Sequence, residues 1–225
     1  MLLSYGKKVS VSSSLEGYPA ENIVDEDART AWVAQSNRDM EWAQVDLQRL
    51  SSIHAIQVNF DEYGANQKGA VSGVYQSYLI YASVNGEDWS LVVDYGTKKT
   101  DTPHDYIEFE EPFKARYIKL QNKEYMVSEN FSVRDLRIFG KGQGSTPRAV
   151  NDFTVERDEA DPCKARLCWE AVPDAQGYIV RYGIAGDKLY NNFQVMGENT
   201  LEIGSLNKGV AYYFTIDAYN ENGIT

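Results

Sequence analysis

Apolar and polar residues alternate at period two along almost the whole chain, few stretches show helical spacing, and this restricts the sequence to folds built from sheet. Ile56, Val58 and Phe60 alternate with Gln57 and Asn59, Ile118 and Leu120 flank Lys119, and Leu136 and Ile138 flank Arg137. Each run is the pattern of a strand with one face buried and the other wet. Between Ser77 and Val93, Asn85-Gly86 separates two apolar stretches. That pair predicts a hairpin closed by a two-residue turn with positive φ at both central positions. The fold class expected is all-β.

The 225 residues, 43% of them hydrophobic and 12% aromatic, are enough to bury a sizeable core and lie far from the composition of disordered chains. With 22 basic against 33 acidic residues the net charge is −11, which excludes a basic stripe for phosphates or anionic lipid, so nucleic acid and membrane are poor partners. Two Cys and two His, His54 and His104, are too few for a disulfide scaffold or a transition-metal cluster. Hard cations held by oxygen remain open. No run approaches the ~18 apolar residues of a membrane helix, and Met1-Leu2-Leu3 is too short for a signal-peptide core.

The strand rhythm stops at Gly140 to Arg148, where three Gly, one Pro and no large apolar residue read as a linker. The expected organisation is a first domain over 1–141, a linker over 142–147 and a second domain over 148–225. In the second, Leu167 and Trp169 share one face, and Tyr212, Phe214, Ile216 and Ala218 alternate with Tyr213, Thr215 and Asp217. With Tyr178-x-Val180-x-Tyr182, Leu206 six residues before Tyr212, and Ala218-x-Asn220-x-x-Gly223, this segment resembles a fibronectin type III domain, an immunoglobulin-like β-sandwich. The resemblance implies that Tyr212 forms a corner whose hydroxyl returns to the backbone. Only Ile224 and Thr225 follow the strand ending near Asn220, so the last strand of that sandwich is expected to be missing or supplied from elsewhere. Cys163 and Cys168 would face opposite sides of one strand, and a bridge between them needs Cys163 in a loop that curls back.

The first segment carries Ser12 to Ser14, Pro19-Ala20-Glu21-Asn22, Val24-Asp25-Glu26-Asp27-Ala28-Arg29-Thr30-Ala31-Trp32, Glu41-Trp42-x-x-Val45-Asp46-Leu47, Ser83-x-Asn85-Gly86-x-x-Trp89, Ala115 to Leu120, and Asp135-Leu136-Arg137-Ile138-Phe139-Gly140. These ordered motifs resemble the coagulation factor V/VIII type C, or discoidin, domain and its bacterial counterparts, the family 32 carbohydrate-binding modules. An eight-stranded galactose-binding-like jelly roll is implied. The wording around Trp32, Glu41-Trp42 and Pro103-His104-Asp105-Tyr106, in tandem with a fibronectin-like segment, resembles the C-terminal region of family 43 glycoside hydrolases of gut Bacteroidetes such as Bacteroides. That implies an exported parent enzyme of xylosidase or arabinosidase type, with its catalytic domain upstream of Met1.

Two carboxylates and a hydroxyl in Asp25-x-Asp27-x-x-Thr30 can wrap oxygen around one Ca²⁺. The resemblance implies a fuller structural site in which Asn22, Asp25, Asp27, Thr30 and Asp135 hold the ion, with Glu26 standing where the family usually has a Gly able to adopt positive φ. The four Trp could stack sugars. Trp32, Trp42 and Trp89 nevertheless fall at core positions of the discoidin pattern, and Trp169 at one of the fibronectin pattern. The family's recognition loops match Gln35 to Met40, Asp61 to Val74 and Asn122 to Phe131. Carbohydrate-binding candidates are therefore Tyr63, Gln67 and Lys68 on the long middle loop, Asn37 and Arg38 on the first, and Tyr125, Asn130 and Phe131 on the third. His54 and His104 read as strand-edge residues.

A non-catalytic carbohydrate-binding or scaffolding accessory region is the expected function, with glycan or polysaccharide as partner. An adhesion or protein-interaction module is the alternative, with Ala70-Val71 offering only weak apolar cargo for a membrane spike. An autonomous glycosidase is disfavoured, because no spacing singles out a catalytic pair of carboxylates.

Overall fold

The computed structural model describes residues 1–65 and 73–225. The chain divides into two compact units, Leu2–Gln143 and Gly144–Thr225. Among the described residues both are all-β, apart from a short 3₁₀ helix at Ala20–Val24.

In Leu2–Gln143, seven antiparallel strands form one sheet: β1 (Lys8–Val11), β2 (Trp32–Val33), β3 (Trp42–Phe60), β4 (Gln76–Ser83), β5 (Ser90–Tyr95), β6 (His104–Tyr125) and β7 (Ser132–Gly142). The order is β2-β7-β3-β6-β4-β5, with β1 also on β3. Strands β3 and β6 run 19 and 22 residues, each through a corner. Their register breaks between Asp46 and Ser51 and again between Ile53 and Ala55, and Gln48 sits at φ 66°. On one side of the corner β3 pairs with β1 and β6, and on the other with β6 and β7, so the sheet makes both layers of a jelly-roll sandwich. Among the described residues the sheet has seven strands where eight were expected, and β3 and β6 each run through both layers.

The inward set follows the pleat. Ala43, Val45 and Leu47 are buried before the corner, and Ile53, Ala55, Ile56, Val58 and Phe60 after it. The adjacent buried pair Ala55-Ile56 marks where the extra residue of a bulge resets the alternation. Trp32 is fully buried, whereas Trp42 and Trp89 are half-buried and absent from the buried core. This corrects the core expectation for both: Trp42 falls on the outward phase of β3. The β4–β5 hairpin forms, with a wider loop than Asn85-Gly86 predicts. Only Gly86 has positive φ, at 81°. Ser83 Oγ accepts the Gly86 N–H at 2.8 Å, and Asn85 Oδ1 accepts the N–H groups of Glu87 and Asp88, each at 2.9 Å. Side-chain acceptors thus replace the primed turn.

In Gly144–Thr225, β12 (Thr200–Ile203), β9 (Ala165–Trp169) and β8 (Phe153–Arg157) form one sheet in that order, and β11 (Asn191–Met196), β10 (Gly177–Gly183), β13 (Tyr213–Asn220) and β14 (Gly223–Ile224) another. Leu167, Val180, Ile203 and Ala218 are buried between them, and Trp169 meets Tyr178 edge to face at 5.1 Å. The Tyr212 hydroxyl accepts the Asn207 N–H at 3.1 Å, the return to the backbone expected of a corner tyrosine. Strand β14 contributes two residues, pairing Asn220 with Gly223 and Tyr219 with Ile224. Residues 144–147 of the expected linker pack within the second unit: Gly144 N–H donates to Asn222 Oδ1 at 2.9 Å, Asn220 and Asn222 amides reach Ser145 O, and Thr225 Oγ1 reaches Pro147 O. Cys163 and Cys168 are free thiols.

Gly140, which closes the Asp-Leu-Arg-Ile-Phe-Gly motif on β7, packs so closely on β3 that an added Cβ would fall inside van der Waals contact with the Ser52 carbonyl. Backbone cannot yield as a side chain can. Gly140→Ala is expected to destabilise the first unit by about 2–3 kcal/mol, read as a lowered urea midpoint by tryptophan fluorescence, and an unchanged midpoint would contradict this packing.

Candidate functional site

The loops expected to carry recognition are bound to one another at one end of the sandwich. Phe131 N–H donates to Ser36 O, and Ala34 N–H to Phe131 O, at 2.9 and 2.8 Å. Asn122 Nδ2 spans Asn37 O and Arg38 O, at 2.8 and 2.9 Å. Asp61 O accepts from Ser132 Oγ at 3.0 Å and from the Tyr125 hydroxyl.

These bonds settle the roles of several candidates. Asn37 Nδ2 is used on Tyr125 O and Ser128 O, at 3.3 and 2.8 Å, and Asn130 Nδ2 on Ala34 O at 2.8 Å. Both amides brace loops, Asn37 through two hydrogen bonds and Asn130 through one. Tyr125 (1% exposed) and Phe131 (0%) are core residues, their rings edge to face at 5.3 Å and packed against Phe60. This corrects their assignment as ligand platforms, because closing the two layers requires large rings under the loops. Tyr63 is half-buried with its ring edge to face on Tyr18 at 4.9 Å. Gln67, Lys68, Ala70 and Val71 lie outside the described residues. Arg38 is exposed, and its guanidinium has no hydrogen-bond or ion-pair partner among the described residues.

Arg38 borders a depression of about 510 Å³. The depression is lined by Ser12, Ser13, Gln35, Ser36, Asp39, Met40 and Glu41 as well. Glu41 is its organising group: Oε2 accepts Ser13 Oγ at 2.8 Å and also Ser12 Oγ, and Oε1 accepts Ser36 Oγ at 2.7 Å. The same hydroxyls accept backbone N–H groups, Ser12 from Trp42 at 2.9 Å and Ser13 from Gln35 at 3.0 Å. Burial alone would raise the Glu41 pKa, but the hydroxyls of Ser12, Ser36 and Ser13 and the nearby Arg38 charge outweigh it and hold the carboxyl below its usual range. Asp39 is paired with Lys123 at 2.6 Å. Met40 is 61% exposed and held at φ 82°, an unfavourable conformation for a side-chain-bearing residue that the braced loop enforces. Ser12, Ser13, Ser36 and Glu41 were not among the sequence candidates, although the Ser12 to Ser14 and Glu41-Trp42 motifs contain three of them.

At the acidic loop, Asp25 Oδ1 accepts the Asp27 N–H and Oδ2 the Thr30 hydroxyl, each at 2.8 Å, and Thr30 Oγ1 lies 2.9 Å from Asp27 O. Oxygens of Asp25, Asp27 and Thr30 are thus gathered. The Asp27 carboxylate points away to Arg29, whose hydrogen bonds lower its pKa to about 2. Asn22 Nδ2 donates to Ala31 O at 2.8 Å. Glu26 does adopt positive φ, 62°, and is pinned there by a two-point ion pair with Arg137 at 3.0 and 2.9 Å. Asp135 is buried; its Oδ2 accepts Asn59 Nδ2 at 2.7 Å, while Oδ1 has no hydrogen-bond partner. Among the described residues no cluster of three or more His, Cys, Asp or Glu side chains is arranged to hold a metal. His104 Nδ1 lies 3.1 Å from Asn59 Oδ1, and His54 is exposed.

A jelly roll with braced loops over a shallow polar depression defines a galactose-binding-like, discoidin-type module. Residues 8–135, more than half of the chain, match the F5/8 type C domain family, and the chain belongs to that family. It is 33% identical over 110 residues to lactadherin of Rattus norvegicus and 32% identical over 110 residues to that of Mus musculus. Each match covers 46% of the chain, which spans 25% and 23% of those proteins. A chitosan-binding module of a chitosanase/glucanase from Paenibacillus sp. IK-5, in complex with chitotriose, is similar with TM-score 0.52 at 19% identity, over 61% of this chain and 99% of the module. CpGH89CBM32-5 from Clostridium perfringens, in complex with GalNAc-β-1,3-galactose, gives 0.50 at 17% identity, over 62% and 100%. No helix among the described residues is long and apolar enough to cross a membrane.

Glu41→Gln is expected to lower stability at pH 7 by about 1–2 kcal/mol, through weakened hydrogen bonds to three hydroxyls. Because the folded pKa is depressed, that contribution is present above the unfolded pKa of about 4.3 and is lost as pH falls through the folded value. Urea titrations of parent and variant should therefore converge as the pH falls through the depressed folded value, and a gap independent of pH would remove Glu41 as the organising charge.

Proposed function

We propose that the first unit is a non-catalytic carbohydrate-binding module whose site is the depression beside Glu41. The observation that carries this reading is the free Arg38 guanidinium beside an exposed Met40, on walls whose other polar groups are fixed by mutual hydrogen bonds. A rigid, shallow, polar surface with one unpaired donor fork suits sugar hydroxyls, since little ordering is required on binding. The sugar complexes of the similar Paenibacillus and Clostridium modules support the same reading. A shallow site competes with water at every hydroxyl, so dissociation constants fall at about 10 μM to 1 mM, or roughly 4 to 7 kcal/mol. Calorimetry with galactose, GalNAc-β-1,3-galactose and chitotriose should find binding in that range for at least one, and Arg38→Ala should abolish it without shifting the melting temperature. Binding unaffected by Arg38→Ala would move the site elsewhere, and no binding by the parent chain would end the reading.

The same domain holds a structural Ca²⁺ through Asp25, Asp27 O and Thr30, with Asn22 and Asp135 completing the set. The gathered oxygens and the unpartnered, buried Asp135 Oδ1 fit a hard cation. At 100 times the dissociation constant the ion would add about 2.7 kcal/mol. The melting temperature should rise with calcium and fall with chelator in the parent, and Asp25→Ala should lose the difference; equal midpoints for the parent would overturn the site.

Gly144–Thr225 serves as a fibronectin type III spacer. The strand orders β12-β9-β8 and β11-β10-β13-β14 and the Tyr212 corner support that assignment. The whole is the exported accessory region of a glycoside hydrolase acting on plant-type polysaccharide, of the family 43 kind found in Bacteroidetes.

A further inference from the structure

With Ala43, Val45 and Leu47 turned into the core, the pleat of β3 turns Trp42, Gln44 and Asp46 outward. Cross-strand pairing sets Gln121 and Lys119 of β6 beside Trp42 and Gln44, and Leu79 and Tyr81 of β4 beside those. The outward face of an antiparallel sheet is ordinarily polar. Here it carries half-buried Trp42, Leu79 and Tyr81, with Trp89 reaching over from the β4–β5 loop. Lys119 Nζ stands 4.2 Å from the Trp89 ring and 5.2 Å from the Tyr81 ring. The nearby carboxylates are taken, Asp46 by Arg116 at 2.8 Å and Asp39 by Lys123 at 2.6 Å, and among the described residues none lies within ion-pair distance of Lys119. A cation held among aromatic rings with no described carboxylate in ion-pair distance is a local point of complementarity to an anionic group on the partner, on a chain that is otherwise acidic. Partial burial also lowers the pKa of Lys119, the mark of a charge short of solvation.

This face is continuous with the depression. Met40, which lines the depression, accepts Gln121 Nε2 on its Sδ at 3.2 Å, and the Trp42 N–H donates to Ser12 Oγ at 2.9 Å. From Trp42 to Asp46 the strand extends about 13 Å at ~3.3 Å per residue, beyond the footprint of a single sugar. We propose that this sheet face extends the depression into a track for an acidic polysaccharide chain, with the Trp42 and Tyr81 rings against sugar faces and Lys119 paired to a uronate carboxylate. It rests on the carbohydrate reading of the depression and adds length and charge to what that site selects. An ion pair over aromatic rings, partly shielded from water, is worth more than an exposed one.

The test is calorimetry of the 225-residue chain with digalacturonate, hexagalacturonate and a neutral galactan hexamer, repeated with Lys119→Gln and Trp42→Ala, each checked for an unchanged melt. Hexagalacturonate should bind roughly tenfold tighter than either other ligand. Lys119→Gln should erase its advantage over the neutral hexamer, and Trp42→Ala should reduce binding of both hexamers while sparing digalacturonate. Equal affinity for the charged and neutral hexamers, or an unchanged hexagalacturonate affinity in Lys119→Gln, would overturn the track and leave the depression's role standing. If Trp42→Ala does not fold, the Lys119→Gln comparison alone decides. Absence of binding to all three, together with the smaller sugars, would overturn both.

Discussion

The first unit depends on a single constraint, the turning of two long strands through a corner without losing their pairing to each other. Strands β3 and β6 stay paired from Trp42–Gln121 to Asn59–His104, yet slip twice on the way. Without those slips the inward phase that buries Ala43, Val45 and Leu47 would continue to the far end of β3 and put the wrong residues inside, because a one-residue shift exchanges the two faces of a strand. The slip before Ala55 restores Ile56, Val58 and Phe60 to the core. Both layers, and the loops that leave them, take their positions from that correction.

From the corner the consequences run to the loop end. Strand β3 ends at Phe60, whose ring meets Tyr78, Tyr125 and Phe131, so an aromatic cluster sits directly beneath the braced loops. Above it the polar side chains of those loops are consumed in bracing: Asn37, Asn122 and Asn130 amides bind backbone carbonyls, and Ser12, Ser13 and Ser36 bind Glu41. Every satisfied donor removes a candidate ligand contact and adds rigidity. What remains without a partner among the described residues is the Arg38 guanidinium, while the exposed Met40 thioether accepts Gln121 Nε2; a surface so sparse and rigid would discriminate by geometry more than by strength.

Much of this architecture was legible in the sequence, because burial alternates where strands alternate: Trp32, Val58, Ile118, Leu120, Leu136 and Ile138 are all buried as their spacing indicates. The site was less legible. Tyr125 and Phe131 look like loop aromatics in one dimension, and only three-dimensional closure shows that they fill the space beneath Phe60. Residue type announces that Asn37 can donate two hydrogen bonds, but not that Tyr125 O and Ser128 O take them. Trp42 was read from its motif as core, although its parity on β3 relative to Ala43 and Val45 already placed it outside. Asn85-Gly86 located the hairpin correctly while misjudging its turn, since Ser83 Oγ and Asn85 Oδ1 offered acceptors that made a wider loop favourable.

Glu26 shows how a left-handed backbone position is held by a residue other than glycine. At φ 62° a glycine would sit without strain, and a glutamate carries a penalty of order 1 kcal/mol for the left-handed conformation. The two-point pair with Arg137, both side chains more than two-thirds buried, offsets that penalty with an interaction of similar size. Arg137 projects from β7 two residues beyond Asp135, so the pair also ties the acidic loop to the strand that would contribute its last oxygen. Conformational freedom has been exchanged for a tether, and the loop that gathers Asp25, Asp27 and Thr30 is held against the sheet by charge where a glycine would only have permitted the turn.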